Sequence, residues 1–346
     1  MAKRPTIRDL AEESGVSVAT VDRVLNGRQS VREGTALRVL EAARRIGYHA
    51  TPLLKQRIAG RAPVLALGLL VLDSDEEFYA HMLEVAADLA GMSQAPRVKL
   101  VTGILPSIAP DDIIAALRDM AARVQAIGLV SIDHPRITEE VARLRGEGIP
   151  VFAILSDFAQ GVRAGYIGTN NLKVGRTAAS MLARALPETD PPREVAIFVG
   201  GHRWHGHELR ETGFRTWFRL NRPDIRLLDT QVNLDTAKLT YEATLSLLSR
   251  HPRLAGIYCA GGGREGLIRA LRDERPGTRI EVVANEFTEA TRRALADGYV
   301  SMVIHSPVEE LLQNFFRMAD EALKSGPAES GVQKFLPMQL YLPESF

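Results

Sequence analysis

The sequence predicts an α/β protein in two parts: an N-terminal all-α helix-turn-helix headpiece, then a larger two-lobed domain of parallel sheets. Three observations carry this. Residues 6–48 hold three short amphipathic patterns separated by glycine turns. From Pro63 onward, apolar runs of strand length alternate with helical patterns in two successive series. Charge is also unevenly placed. Through residue 62 there are twelve Lys/Arg against six Asp/Glu, net +6, and the remainder carries 31 against 36, net −5. A basic head on a mildly acidic body suits a nucleic-acid partner for the head alone.

A chain of 346 residues is too long for one ordinary core and suits a small domain plus a bilobed one. Its 45% hydrophobic and 25% charged residues are globular values, and no apolar run reaches the length of a membrane span. The start, MAKRPTIRDL, turns polar at once and lacks the apolar stretch of a secretory signal, so a cytoplasmic location is expected. The single Cys259 excludes an intramolecular disulfide framework and a multi-cysteine metal cage. The expected division is a headpiece over 1–49, a hinge over 50–62 and the two-lobed domain over 63–346.

In the headpiece, Thr6 and Asp9 have N-cap spacing, with Ile7, Leu10 and Ala11 on one face behind them. Ser14-Gly15-Val16 breaks the helix. Ser17 caps the second, whose Val21, Val24 and Leu25 form a buried stripe, and Asn26-Gly27 stops it. Ser30 to Glu33 reads as a capping box for a third helix, with Leu37, Leu40 and Ile46 inward and Gly47 at its C-cap. Two short helices around a glycine turn with a third behind is helix-turn-helix geometry. The outer face of the second helix then carries Val18, Ala19, Asp22 and Arg23, where a reader of the major groove keeps its contacts.

TIRDLAEESGVSVATVDRVLNG followed by VREGTALRVLEAARRIGYHA resembles, without gaps over 6–50, the DNA-binding headpiece of the LacI/GalR family. That resemblance implies that Val18, Ala19 and Arg23 read bases, with Thr20, Asn26 and Tyr48 holding the backbone; Thr6 and Ser17 at the two caps join the expected contact set. Asp22 replaces the family's usual serine. An acid there either accepts from cytosine N4 or braces Arg23 or another basic neighbour. ATPLLKQRIAGRA, 50–62, matches the family's hinge helix, which pushes an apolar side chain into the minor groove. Leu54, Arg57 and Ile58 are its candidate contacts; Arg57 stands in the usual leucine slot, so Ile58 is the wedge or the hinge does not wedge.

Expected strands are 64–71, 97–101, 126–132 and 150–155, then 194–200, 225–232, 255–260, 279–284 and 299–304. Open parallel sheets place ligands beyond the carboxyl ends of their strands, and two facing edges make a cleft. The family's regulatory domain is periplasmic-binding-protein-like in this way. Groups just after strands are the candidates: Asp73, Phe78 and Tyr79 after the first, Asp157 after the fourth, and Asp235 after the run at 225–232. By resemblance, Asn170 and Asn171 occupy the place of a D-N element. Arg210 stands where the family has an arginine for ligand hydroxyls, and Glu286 replaces its aspartate. His207 is a further lining candidate. Each also has a plainer reading as a strand-end polar group, a helix brace or ordinary packing.

CAGGGREG, 259–266, puts Ala260 and Gly261 where many relatives carry a sugar-contacting Asn-Asp pair. Its glycines serve either a tight strand-to-helix turn or backbone N–H groups aimed at an anion. His202, His205 and His207 lack the helix spacing of a zinc motif, so no metal and no cofactor are expected. The C-terminal KFLPMQLYLPESF reads as one last strand and a tail, without the heptads of a tetramerising coil.

The resemblance implies a transcriptional regulator, in the manner of a repressor. It would be a homodimer on a double-stranded pseudo-palindromic operator, controlled by a sugar or polyol in the cleft, with no catalytic residues and no membrane partner. The alternatives are a sugar-processing enzyme and a transport-type sugar-binding protein using the same cleft.

Overall fold

The computed structural model describes residues 5–26, 31–55, 64–72, 77–93, 96–189, 192–274, 279–326 and 331–346. Asp73, Arg57, Ile58 and Ser30 lie outside the described residues. The chain divides into two compact units, residues 1–65 with 92–99, and residues 66–91 with 100–346.

In the first unit, α1 (Ile7–Ser14) opens on the expected capping box: Thr6 N–H donates to Asp9 Oδ2 at 2.6 Å and Asp9 N–H to Thr6 Oγ1 at 3.3 Å. Gly15 closes it at φ 65°, a conformation that costs a residue without Cβ little. Ser17 Oγ accepts the Thr20 N–H at 3.2 Å at the start of α2 (Val18–Asn26), which buries Val21, Val24 and Leu25. The third helix, α3 (Glu33–Arg45), starts after Arg32, which caps nothing with its side chain, rather than after Ser30. Leu40 is buried as expected, whereas Leu37 is exposed, because the inward stripe is Val39, Leu40, Ala42 and Ala43. Leu54 corrects an expectation. Residues 51–55 are helical and bring it fully into the headpiece core beside Leu10 and Tyr48, so it is a packing residue here. Burying a leucine of this kind contributes roughly 1.5–3 kcal/mol.

The second unit has two sheets, complete but for the first residues of the strands Val64–Leu72 and Arg97–Leu105. Strands β1 (Val64–Leu72), β2 (Arg97–Leu105), β3 (Ala126–Leu129), β4 (Val151–Ile154) and β5 (Gly165–Thr169) belong to the first; β6 (Glu194–Val199), β7 (Arg226–Leu227), β8 (Gln231–Val232), β9 (Leu254–Cys259), β10 (Glu281–Asn285) and β11 (Met302–His305) belong to the second. The expected last strand is two strands in different sheets. β12 (Val332–Leu336) runs parallel to β5, and β13 (Gln339–Tyr341) runs antiparallel to β11. The orders are β12-β5-β4-β3-β1-β2 and β13-β11-β10-β9-β6-β7, with β8 also paired to β6. The chain therefore passes between lobes three times, after Thr169, after His305 and after Leu336. β5 was not expected: GYIGT carries two glycines and little apolar length, yet all five residues are buried because neighbours flank it on both sides. The single run expected over 225–232 is two short pieces with a break between them.

One packing detail positions the cleft. Helices Asn171–Ala185 and His205–Asn221 meet through glycines, Gly175 against the Arg210 carbonyl and Gly213 against the Leu172 carbonyl, so close that a β-carbon at either would overlap backbone. Gly175→Ala should therefore cost about 1–3 kcal/mol in urea unfolding. A variant as stable as its parent would show that the helices do not need this approach.

Candidate functional site

Ser17, just before α2, and Val18, Ala19 and Arg23 on it are exposed, with Val18 at 45%. An apolar side chain so exposed at a helix start is available to a thymine methyl in a major groove. The Thr20 hydroxyl lies 2.9 Å from that of Ser17. Asp22 is engaged along the helix, its Oδ1 accepting from Asn26 Nδ2 at 2.6 Å. The brace that the sequence offered to Arg23 thus goes to Asn26, four residues on, the spacing at which helix side chains meet. The Tyr48 ring is buried, and burial pushes its phenol pKa up. Thr6 is exposed and tied into its capping box.

The carboxyl ends of the two sheets of the second unit line a half-open cavity. The first lobe supplies Leu72, Phe78, Tyr79, Val130, Leu155 and Ser156. The second supplies Trp204, Gly206, His207, Arg210, Asp235, Gly261, Gly262, Arg264, Asn285 and Glu286.

Arg210 is 7% exposed and anchored on two sides: Nε donates to Asn171 Oδ1 at 2.7 Å and Nη1 to the Ala260 carbonyl at 2.6 Å. That leaves Nη2 for the cavity. The Asp235 carboxylate takes the Gly262 N–H at 2.7 Å, and a β-carbon on Gly261 would lie 2.5 Å from both Asp235 Oδ1 and His207 Cε1. The glycine loop therefore makes room for an acid and a histidine, and one of its N–H groups already serves a carboxylate. His207 Nδ1 accepts from the Gly200 N–H at 3.1 Å, which fixes the proton on Nε2. Burial lowers its pKa to about 4 despite the opposing charge of Asp235, so the ring is a neutral donor.

Burial pushes the Glu286 carboxyl up, but the His305 ring and then Arg210 and the Ser306 N–H outweigh it, holding it down at about 2. Ser306 donates to it twice, at 3.0 Å from N–H and 2.8 Å from Oγ. His305 Nδ1 lies 3.0 Å from Glu286 Oε2 and 3.2 Å from the Phe287 N–H. A protonated Nδ1 serves the carboxylate and a bare one serves the amide, so those two contacts belong to different states of the ring. Arg264 is buried and 3.4 Å from Glu265, and Asn285 Oδ1 accepts from the Tyr258 hydroxyl at 2.7 Å. Burial raises the Cys259 thiol to about 12, which leaves it a poor nucleophile. Among the described residues no group of three or more His, Cys, Asp or Glu could hold a metal ion.

Of the expected ligand groups, the structure gathers Phe78, Tyr79, His207, Arg210, Asp235 and Glu286 around this cavity. Three others stand elsewhere. Asp157 is locked in a buried ion pair with Arg163, whose Nη2 is 2.8 Å away, and accepts from Gln160 at 3.0 Å. Asn170 caps the helix it precedes by accepting from the Lys173 N–H at 3.1 Å. Asn171 stands behind Arg210. Sequence reasoning missed Arg264, which opens the helix after the glycine loop, Asn285, the last residue of β10, and the aliphatic Leu72, Val130 and Leu155, which read as core.

Among the described residues, three of the five non-glycine residues at positive φ line the cavity: Leu155 (64°), Asp235 (56°) and Glu286 (68°). Each such residue costs on the order of 1–3 kcal/mol, and such strain gathers at functional sites.

Residues 68–327 match the family described as "Periplasmic binding protein domain", and residues 6–51 match "Bacterial regulatory proteins, lacI family". The chain is 26% identical to the HTH-type transcriptional regulator MalR of Streptomyces coelicolor, over 96% of this chain and 94% of that protein. It is 28% identical to an uncharacterized HTH-type transcriptional regulator of Streptomyces limosus, over 61% of this chain and 57% of that protein. Among solved structures, a solute-binding protein of an ABC transporter from Burkholderia graminis, in complex with D-arabinose, superposes with a TM-score of 0.74. It is 20% identical, covering 82% of this chain and 98% of that one. At that identity it is the fold that is shared.

A histidine held neutral by burial makes stability depend on pH. The His207 pKa falls from 6.5 to about 4 on folding, so its environment costs nothing above pH 6.5 and stability is lost as pH drops toward 4, by about 3 kcal/mol in all. Thermal melts of His207→Gln should show a shallower decline between pH 6.5 and 4 than those of the parent; parallel curves would contradict the assignment.

Proposed function

The chain belongs to the LacI family of bacterial regulatory proteins, and on that premise we propose how it is controlled. It is a DNA-binding transcriptional regulator with a small-molecule-binding domain. Its effector, on this reading, is a neutral sugar or polyol held in the cleft. The observation that carries this is the charge balance of the cavity wall among the described residues. Arg210 and Arg264 stand against Asp235 and Glu286, and His207 is neutral. A phosphate would need surplus positive charge, whereas hydroxyls use donors and acceptors in equal measure. Phe78 and Trp204 add aromatic faces for carbon–hydrogen surfaces.

The protein acts in the cytoplasm as a homodimer on a pseudo-palindromic operator, one headpiece to each half-site. Effector binding shifts the balance between two arrangements that differ in operator affinity. The cleft does no chemistry. The buried thiol of Cys259 and the acids already engaged by their neighbours support binding rather than turnover.

Removing Arg210 should weaken the effector at least about tenfold, the worth of a hydrogen bond to a charged group. A thermal-shift panel of neutral sugars, polyols, sugar acids and sugar phosphates on parent and Arg210→Ala checks this. A hit confined to phosphates contradicts the neutral-ligand reading. For the headpiece, Asp22 is a brace for Asn26. Operator selection with Asp22→Ser should give weaker binding at every site and the same preferred bases; altered base preference would mean that the acid reads cytosine directly.

A further inference from the structure

We propose that the cleft prefers, among neutral sugars, one that turns a hydroxyl-free carbon edge toward the first lobe, as a 6-deoxyhexose does. This rests on the neutral-sugar reading above. Among the described residues, the two walls of the cavity differ in kind. From the second lobe come two guanidiniums, two carboxylates, the Nε2–H of His207 and the Asn285 amide. From the first come Leu72 at the end of β1, Val130 just past β3 and Leu155 just past β4, beside Phe78 and Tyr79. The Oγ of Ser156, in the same wall, already accepts the Gly206 N–H at 3.2 Å. Leu72 and Leu155 are only half-buried, so aliphatic surface is presented to whatever fills the cavity.

Leu155 is where this wall is built at a cost. Its φ is 64°, and the Ser156 N–H reaches back to the Ile154 carbonyl at 2.7 Å, closing a three-residue turn of the strained hand. The Leu155 carbonyl is pinned by the Tyr166 hydroxyl at 3.0 Å and by Asn171 Nδ2 at 3.4 Å. Glycine or asparagine would take that backbone with less strain, yet leucine stands there and its side chain lines the cavity. What leucine adds over those residues is apolar surface facing the ligand. A hydroxyl pressed against Leu72, Val130 and Leu155 gives up its water and gains no partner, whereas a methyl or bare carbon gains contact.

The test is calorimetric titration of the full-length protein with two matched pairs, L-fucose against L-galactose and L-rhamnose against L-mannose, with glucose 6-phosphate as the charged comparison. Members of each pair differ only at the 6-hydroxyl. The expected result is that a 6-deoxy member binds about ten- to hundredfold tighter than its hydroxylated partner, the discrimination an apolar pocket gives against an added hydroxyl. Leu155→Asn should cut that preference to about threefold or less while melting no lower than the parent. Val130→Thr is the second variant, expected to move the ratio in the same direction. If a fully hydroxylated sugar binds as tightly as any deoxy member, the inference is wrong and the neutral-sugar reading stands. Binding of the phosphate alone overturns both.

Discussion

Arg210 is almost wholly buried, and a guanidinium taken out of water needs partners for its hydrogens. Asn171 meets one side of it and the Ala260 carbonyl another, while the third faces the cavity. Neither anchor is a matter of the side chain alone. The Arg210 backbone is pressed against Gly175, and Leu172 against Gly213, so the two helices that carry the arginine and its asparagine are held at one separation. The charge that would grip a ligand is thereby positioned by a helix contact that tolerates no side chain.

The same network reaches the first lobe. Asn171 Nδ2 lies 3.3 Å from the Tyr166 hydroxyl and 3.4 Å from the Leu155 carbonyl, and that hydroxyl is 3.0 Å from the carbonyls of Leu155 and Thr169. Tyr166 belongs to the first sheet; Asn171 opens the first helix after the crossover. A ligand that engages Arg210 and rests on Leu155 therefore touches both ends of one hydrogen-bonded chain. Further hydrogen bonds cross between the lobes, from the Gly206 N–H to Ser156 Oγ and from the Glu289 N–H to Glu77 Oε2, at 3.2 and 3.0 Å. They tie the two lobes in one arrangement, against which a ligand's differential affinity can act.

Much of this was legible in the sequence, and the parts that were not share a physical cause. Periodicity found α2 and its stripe, and resemblance with strand-end position picked out Arg210, Asp235, His207 and Glu286, which line the cavity. Leu54 misled because an apolar residue in a hinge and one tucked into a core look alike until the chain turns back. Asp157 misled because Arg163, six residues on, is paired with it only once the loop has folded. β5 was invisible: its burial comes from flanking strands rather than from its own glycine-rich composition. The aliphatic floor of Leu72, Val130 and Leu155 was unreadable as a site, since apolar strand ends are the commonest thing in a sheet, and the φ that marks Leu155 belongs to the backbone alone.

The central claim is that cleft and headpiece are coupled. It is tested most directly by measuring the affinity of the full-length protein for its selected operator with and without saturating neutral sugar, and the affinity for that sugar with and without operator. The account predicts that both affinities change, by the same factor and in the same direction, as linkage requires of two sites that bias one equilibrium. Operator affinity unmoved by a sugar that demonstrably binds would contradict it.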